Sequence, residues 1–136
     1  MKTFEFILTS TSENLHIFEL ELLEILQQNT ELSSHQINEL SLAVIEAVGN
    51  AIRHGNKFDK SKYVTILIKI SKKIISITVK DEGEGFDINK VDDPTKPENL
   101  LKTSGRGIYI MKNIMKEFSV HSNKNGTTVL MKYFLS

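Results

Sequence analysis

The spacing of apolar residues predicts five strands. Near the start of the chain, Phe4, Phe6 and Leu8 alternate with other side chains, which is the period-two pattern of a partly buried strand. Two later segments are rich in β-branched residues and lie only three residues apart, which favours an antiparallel hairpin. Further on, Asn125 and Gly126 predict a tight turn between two more strands. The predicted strands cover residues 3–8, 63–70, 74–80, 118–122 and 127–134.

Three other segments repeat apolar residues at the spacing of an amphipathic helix. The pairs Ser10 with Glu13 and Ser33 with Gln36 have the spacing of a capping box, so each predicts a helix start. The stripe of the first helix is Leu15, Phe18, Leu22 and Ile25, and its pattern ends over residues 27–30. The second helix covers residues 34–54 and has the stripe Ile37, Leu40, Val44, Ala47, Val48 and Ala51. The third begins just after Gly105 and Gly107 and has the stripe Ile108, Met111, Ile114, Met115 and Phe118.

The order of these elements is strand, helix, helix, strand, strand, loop, helix, strand, strand. It lacks the alternation of a doubly wound parallel sheet, so it predicts an α+β fold. We expect a two-layer α/β sandwich, with the helices on one face of a mixed, mostly antiparallel sheet. Residues 87–104 show little periodicity and contain two prolines, which is typical of a long binding loop or lid. One domain is predicted over residues 1–136.

Composition narrows the classes of protein that fit. The chain has 136 residues, of which 40% are hydrophobic, and its 17 basic residues balance 17 acidic ones, so a basic surface for nucleic acid is not expected. No apolar run reaches the length of a membrane span, and the first residues lack the apolar core of a secretory signal. The absence of cysteine excludes disulfides and thiolate chemistry. We therefore expect a soluble cytoplasmic protein without a nucleic-acid or membrane partner.

Polar residues interrupt the second predicted helix on one side. Glu46 and Asn50 are four residues apart, so they lie about 40° apart around the helix axis, and His54 continues the same side. One interpretation is a solvated helix edge that ends in a cap at Gly55 or Asn56. The other is that the carboxylate serves as a general base and the amide oxygen as a ligand for a hard cation such as Mg²⁺.

Two glycine-containing segments have similar alternatives. Asp81, Gly83 and Gly85 directly follow an apolar strand, and they suit either a plain turn or a site where a carboxylate accepts a hydrogen bond from the amine of adenine. Gly105 and Gly107 precede the third predicted helix, whose free backbone N–H groups favour a phosphate. The second segment is neither a Walker loop nor a Rossmann fingerprint, because the further residues of those motifs are missing.

The conjunction of four motifs is more specific than any one of them. EAVGNAIRHGN resembles the N box of the Bergerat-fold ATPases of the GHKL superfamily, DEGEGFD resembles their first glycine box, SGRGIYIMKNIMKEF the second, and GTT the closing strand. The four stand in the family's order over residues 41–131. Within the superfamily, the short chain is most similar to the bacterial anti-sigma factor serine kinases and their regulatory relatives.

The resemblance implies ATP and Mg²⁺ as cofactors and a lid over the nucleotide. It implies that Glu46 is the general base, that Asn50 binds Mg²⁺, and that Asp81 receives the adenine amine. The other nucleotide-binding positions that it implies are His54, Gly83, Gly85, Phe86, Gly105, Arg106, Gly107, Ile108 and Thr128. The chain departs from some of these kinases in two respects: Thr103 stands where they place a basic lid residue, and Arg106 occupies the middle of the second glycine box. Two consequences stay open, namely slow phosphotransfer or substitution of the lid residue by Arg106 or Lys102.

The same resemblance implies a function. It predicts a partner switch in which the protein, with ATP bound, holds a sigma factor inactive and phosphorylates a serine on an anti-anti-sigma antagonist, and it implies a homodimer. Three alternatives stay open from the sequence. They are an ATP-binding interaction module without catalysis, a detached ATPase domain that phosphorylates histidine on another chain, and a soluble α/β domain that binds no nucleotide.

Overall fold

Five strands and three α-helices form within the residues that the computed structural model describes, which are 1–85 and 107–135 without the side chain of Ile108. The predicted site residues Phe86, Gly105 and Arg106 and the predicted lid lie outside this part of the chain. In chain order the elements are β1 (Lys2–Thr9), α1 (Ser12–Asn29), α2 (Ser34–Asn50), a π turn (Ala51–Gly55), β2 (Tyr63–Ile70), β3 (Ile74–Lys80), α3 (Gly107–Ile114), β4 (Glu117–Asn123) and β5 (Gly126–Phe134).

The sheet has the strand order β1-β2-β3-β5-β4, and every pairing between its strands is antiparallel. The two-layer α+β architecture is confirmed, and the expectation of a mixed sheet narrows to an antiparallel one. Neighbouring strands carry matched apolar positions, such as Ile66 opposite Val79 and Ile77 opposite Met131. This register places β3 and β5 side by side at the centre, so that the segment after β3 meets the start of β5.

One face of the sheet is apolar because alternate strand residues are buried. In β2, for example, Val64, Ile66, Ile68 and Ile70 are buried and the residues between them are not. The helices cover this face with Phe18, Leu22 and Leu26 from α1 and with the Leu40 to Val48 stripe of α2. Each such aliphatic or aromatic side chain contributes roughly 1.5–3 kcal/mol through its burial, so α2 is firmly fixed against the sheet.

The capping box at the start of α2 forms as predicted. Ser33 Oγ accepts from Gln36 N, and Gln36 Oε1 accepts from Ser33 N. The capping box predicted from Ser10 and Glu13 is wrong, since the N-cap of α1 is Thr11, whose Oγ1 accepts from Asn14 N. The Ser10 hydroxyl is instead buried and donates to Lys62 O. A tertiary contact has taken this side chain away from the helix end.

The last turn of the second predicted helix is wider than an α-helical turn. From Ala51 to Gly55 the backbone is π-helical, and Asn56 N donates to Ala51 O, five residues earlier. Lys57 and Phe58 follow with φ values of 53° and 60°. These left-handed conformations are costly for residues other than glycine. Such extra turns occur often at functional sites, and this one directs Gly55 and Asn56 towards the end of β3.

Two boundaries near the end of the chain differ from the prediction. The hairpin turn between β4 and β5 lies at Lys124 and Asn125, and Gly126 is the first residue of β5, with a φ of 139°. The third helix ends at Ile114, before Met115 and Phe118 of its predicted stripe, and Phe118 belongs to β4, as the strand predicted over residues 118–122 requires. A β4 residue can extend the apolar stripe of α3 because both elements pack on the same core. Among the described residues, none of the helices is long and apolar enough to cross a membrane.

Candidate functional site

Asp81 is a buried carboxyl at the end of β3, with 4% of the residue exposed. Its Oδ1 accepts hydrogen bonds from Gly83 N at 3.0 Å and from Thr127 N at 3.1 Å. Its own backbone N donates to Thr127 O at 3.0 Å. Three backbone hydrogen bonds therefore fix the Asp81 backbone and one of its two carboxyl oxygens.

The second carboxyl oxygen, Oδ2, faces Gly55, and no hydrogen bond to it is found among residues 1–85 and 107–135. Burial raises the pKa of Asp81, while the hydrogen bonds from Gly83 and Thr127 and the charge of Lys62 act in the opposite direction. A buried acceptor without a donor is costly for a fold. A ligand amine that donated to Oδ2 would remove that cost.

The glycines around Asp81 leave no space for side chains. A Cβ on Gly55 would lie 2.1 Å from Asp81 Oδ2, and one on Gly83 would lie 2.1 Å from Gly55 O. A Cβ on Gly126 would lie 2.1 Å from Asp81 O. The π turn, the end of β3 and the start of β5 therefore touch closely around Asp81, in places where only glycine fits.

The two predicted residues of α2 lie against the start of α3. A Cβ on Gly107 would lie 2.5 Å from Glu46 Oε2 and 3.5 Å from Asn50 Nδ2. Glu46 and Asn50 are half-buried, so both keep access to solvent. The structure thus brings together the predicted residues Glu46, Asn50 and Gly107, and their roles in catalysis and in metal and nucleotide binding stay predictions.

The α2 side chains supply oxygen atoms that suit a magnesium ion. Mg²⁺ prefers oxygen donors, keeps several waters and is seldom enclosed by protein ligands alone. Glu46 and Asn50 provide a carboxylate and an amide oxygen on one helix face, and no cluster of three or more acidic, histidine or cysteine side chains competes with them in the described chain. Asn50 Oδ1 accepts a long hydrogen bond, 3.4 Å, from Arg53 Nη2.

Three predicted residues lie apart from these clusters. His54 is exposed on the π turn. Gly85 has a φ of 71° and lies against Asn123 O of the β4–β5 hairpin, where a Cβ would be 1.9 Å away. Thr128 pairs with Lys80 and so lies on the sheet face away from the helices. Their roles in nucleotide binding stay predictions.

Sequence reasoning did not assign a role at Asp81 to Gly55, Asn56 or Thr127. Thr127, next to the predicted Thr128, is the residue that contacts Asp81. The alternation of β5 was the available signal, because it separates the faces of these two threonines. For Gly55 the available signal was a glycine that follows a helix with a polar edge. Nothing local in the sequence predicts the contacts of Asn56.

Comparison with known proteins places the chain in a class. Two-layer α+β domains of this kind, with an acid after a central strand and polar residues on the facing helix, include ATPase domains. Residues 8–133 match the histidine kinase-like ATPase domain. The match covers most of the 136 residues, and the chain belongs to this family.

Curated relatives include two proteins named anti-sigma F factor. The one from Geobacillus stearothermophilus is 42% identical over 105 residues, which cover 74% of this chain and 70% of the relative. The one from Clostridium perfringens (strain SM101 / Type A) is 41% identical over 102 residues, covering 71% of each chain. This level of identity over most of both chains makes the anti-sigma group the relevant branch of the family.

Solved structures share the fold at low sequence identity. The RsbU and RsbW domains of Rv1364c from Mycobacterium tuberculosis give a TM-score of 0.71 at 16% identity, covering 98% of this chain and 32% of that one. The histidine kinase domain from the Erythrobacter litoralis EL346 blue-light activated histidine kinase gives 0.62 at 19% identity, covering 89% of this chain and 59% of the other. These likenesses show the fold of the chain.

Asp81→Asn should make the folded chain more stable at neutral pH. Burial raises the pKa of Asp81 above the usual 3.8, so the wild-type fold loses stability as the pH rises from that value through the raised pKa. An asparagine has no charge to lose, and it keeps the oxygen that accepts from Gly83 and Thr127. We expect a Tm about 2 °C or more above wild type at pH 7. The difference should vanish well below the usual pKa of 3.8, where Asp81 is neutral in both the folded and the unfolded chain; a variant that is less stable at pH 7 would contradict this.

Gly83→Ala should destabilise the fold by about 2 kcal/mol or more, because its Cβ meets the backbone of Gly55 and neither segment can move freely. Gly49→Ala is the matched control. Its Cβ would meet only the end of the flexible Arg53 side chain, at 2.9 Å, and alanine is the better helix former by up to about 1 kcal/mol. Urea unfolding measures both variants. Equal losses of stability would show that the contact between Gly55 and Gly83 is not tight.

Proposed function

We propose that the chain binds MgATP between the end of β3 and α2, and phosphorylates a serine on an anti-anti-sigma antagonist while it sequesters a sigma factor. The observation that carries the proposal is the Asp81 carboxyl, which is buried with one oxygen fixed by the protein and the other unpaired among the described residues. The membership of the family and the anti-sigma F relatives support it.

The nucleotide base belongs at Asp81 in this proposal. Adenine carries an exocyclic amine that donates hydrogen bonds, and Asp81 Oδ2 is an acceptor that faces the Gly55 backbone. The glycines at 55, 83 and 126 keep side chains of their three segments away from the Asp81 region. A base with a carbonyl oxygen in the place of the amine would bring two acceptors together, so the site favours adenine.

The phosphate end of the nucleotide belongs at α2 and α3. A magnesium ion would be held by Asn50 Oδ1 and would offset negative charge on the transferred phosphoryl group. Arg53 donates a hydrogen bond to Asn50 Oδ1 in this structure, and this hydrogen bond has to break when the metal binds. Gly107 lets the start of α3 lie close to Glu46 and Asn50.

Glu46 is the general base in the proposed transfer. Its carboxylate accepts the proton from the serine hydroxyl of the antagonist, and the serine oxygen forms a bond to the γ-phosphorus as the bond to the leaving ADP oxygen breaks. Half-burial on a fixed helix keeps Glu46 in one place while it stays open to a partner side chain. The products are ADP and a phosphoserine.

The partners follow from the relatives. Proteins named anti-sigma F factor are similar to this chain over most of its length, so we propose a sigma factor and its antagonist as the proteins bound. A homodimer and a cytoplasmic location complete the proposal, since sigma factors act in the cytoplasm and relatives of the anti-sigma group are commonly homodimers.

Glu46→Gln should lower phosphate transfer by about 100-fold or more, which is the scale of general-base catalysis. It should leave ATP affinity within about 3-fold, since the base does not hold the nucleotide. The assay follows γ-labelled ATP into a purified anti-anti-sigma antagonist, with ATP binding measured by calorimetry. Glu39→Gln is the matched control, because Glu39 is exposed on the same helix and pairs with His35.

Equal loss of binding and transfer in Glu46→Gln would contradict the role given to this residue. The stability of the phosphoprotein in acid tests the acceptor, since phosphoserine survives acid treatment and phosphohistidine does not. Label that disappears in acid would favour the histidine-kinase alternative. No label on any antagonist, with ATP bound normally, would favour a binding module without catalysis.

A further inference from the structure

Asn56 is a buried polar side chain at the end of the π turn, and the proposed function assigns it no role. It is 1% exposed. Its Nδ2 donates to Ser10 Oγ at 2.9 Å and to Tyr63 O at 3.0 Å, and its Oδ1 accepts from Glu82 N at 2.8 Å. Both amide hydrogens and the amide oxygen are therefore used.

The direction of each hydrogen bond in this network is determined. Tyr63 O can only accept and Glu82 N can only donate, so the amide of Asn56 has one allowed orientation. The Ser10 hydroxyl donates to Lys62 O, which leaves Ser10 Oγ to accept from Asn56. One side chain thus joins the residue after β1, the start of β2 and the second residue after β3.

Asn56 helps to hold the end of β3 against the π turn. Asn56 holds Glu82, the residue that directly follows Asp81. Gly55, the residue before Asn56, faces Asp81 Oδ2. The Glu82 carboxylate adds a second tie, because it accepts from Tyr63 N. Without the Asn56 amide, the remaining described hydrogen bonds of Asp81 run to Gly83 and Thr127, and none of them sets its distance from Gly55.

The network also accounts for the π turn. In a regular α-helix the extra residue would be absent, and position 56 would point elsewhere around the axis. Three good hydrogen bonds in the interior offset the weaker backbone geometry of one wide turn. The fold accepts an irregular helix end, and it gains a fixed position for Asn56.

We infer that Asn56 is a positioning residue for base recognition: it holds the Asp81–Glu82 segment against the π turn so that Asp81 Oδ2 meets the adenine amine. The inference rests on the proposed function, since it requires a nucleotide at Asp81. It goes further by naming the residue that sets the preference for adenine.

The test compares ATP with inosine triphosphate, whose base carries a carbonyl oxygen in place of the amine. Calorimetry measures the affinity of both magnesium nucleotides for wild type, Asn56→Ala and Ser10→Ala. Asn56→Ala should weaken ATP about 10-fold and change the affinity for inosine triphosphate less than about 2-fold, so discrimination falls. Ser10→Ala is the matched control, because it keeps the bond to Glu82; it should lower the Tm and leave ATP affinity within about 2-fold.

The Asp81→Asn background separates positioning from general damage to the fold. If Asn56 acts through Asp81, Asn56→Ala should have no further effect on nucleotide affinity in that background. Because Asp81→Asn is expected to stabilise the fold, it should also offset part of the stability that the double variant loses through Asn56→Ala. Should Asn56→Ala fail to fold alone, Asn56→Ser is the second variant, since its hydroxyl is too short to reach Glu82 N and still supplies a polar group.

Two results would overturn the inference and leave the proposed function intact. One is a folded Asn56→Ala or Asn56→Ser that binds both nucleotides as wild type does, and the other is equal weakening of both. A full additional loss in the Asp81→Asn background would have the same meaning. In each case the wild type still prefers ATP to inosine triphosphate, and Asp81→Asn still weakens ATP binding to a lower, measurable affinity. A wild type that binds neither nucleotide would contradict the proposed function, and the inference with it.

Discussion

The half-paired carboxyl of Asp81 is the constraint on which the rest of the site depends. Burying a carboxylate is unfavourable unless donors compensate. The fold supplies two backbone donors to Oδ1 and leaves Oδ2 without one among the described residues. The antiparallel pairing of β3 with β5 brings Thr127 to Asp81, and the closely packed glycines keep side chains away. The described part of the fold thus leaves one buried acceptor open for the adenine amine of the proposed complex.

The helix layer supplies the other residues of the proposed site. A regular α2, held by its capping box and its apolar stripe, fixes Glu46 and Asn50. The π turn that follows departs from regular geometry to bring Gly55 and Asn56 to the end of β3. Regular structure therefore positions the phosphate end of the proposed site, and irregular structure positions the base end. Substitutions at the two ends should consequently separate catalysis from base recognition.

Much of this architecture could be predicted from the sequence, because local signals and tertiary structure agree. The β-branched segments at 63–70 and 74–80 form strands with those bounds, and Ser33 caps α2. The predictions fail where a contact with a residue distant in sequence determines the local structure. By residue type Ser10 is a better cap than Thr11, and the network around Asn56 is what withdraws Ser10. The π turn has no local signal, since its stabilising hydrogen bonds reach residues up to 46 positions away.

The central claim is that Asp81 is a buried carboxyl held ready for a donor on adenine. NMR titration of a ¹³C-labelled carboxyl at Asp81, with and without MgATP, tests it most directly. In the free protein the pKa should lie above the usual 3.8. With the nucleotide bound, the pKa should fall, because a hydrogen bond from the amine favours the ionised form. A pKa at or below the usual value in the free protein, and unchanged by MgATP, would contradict the account.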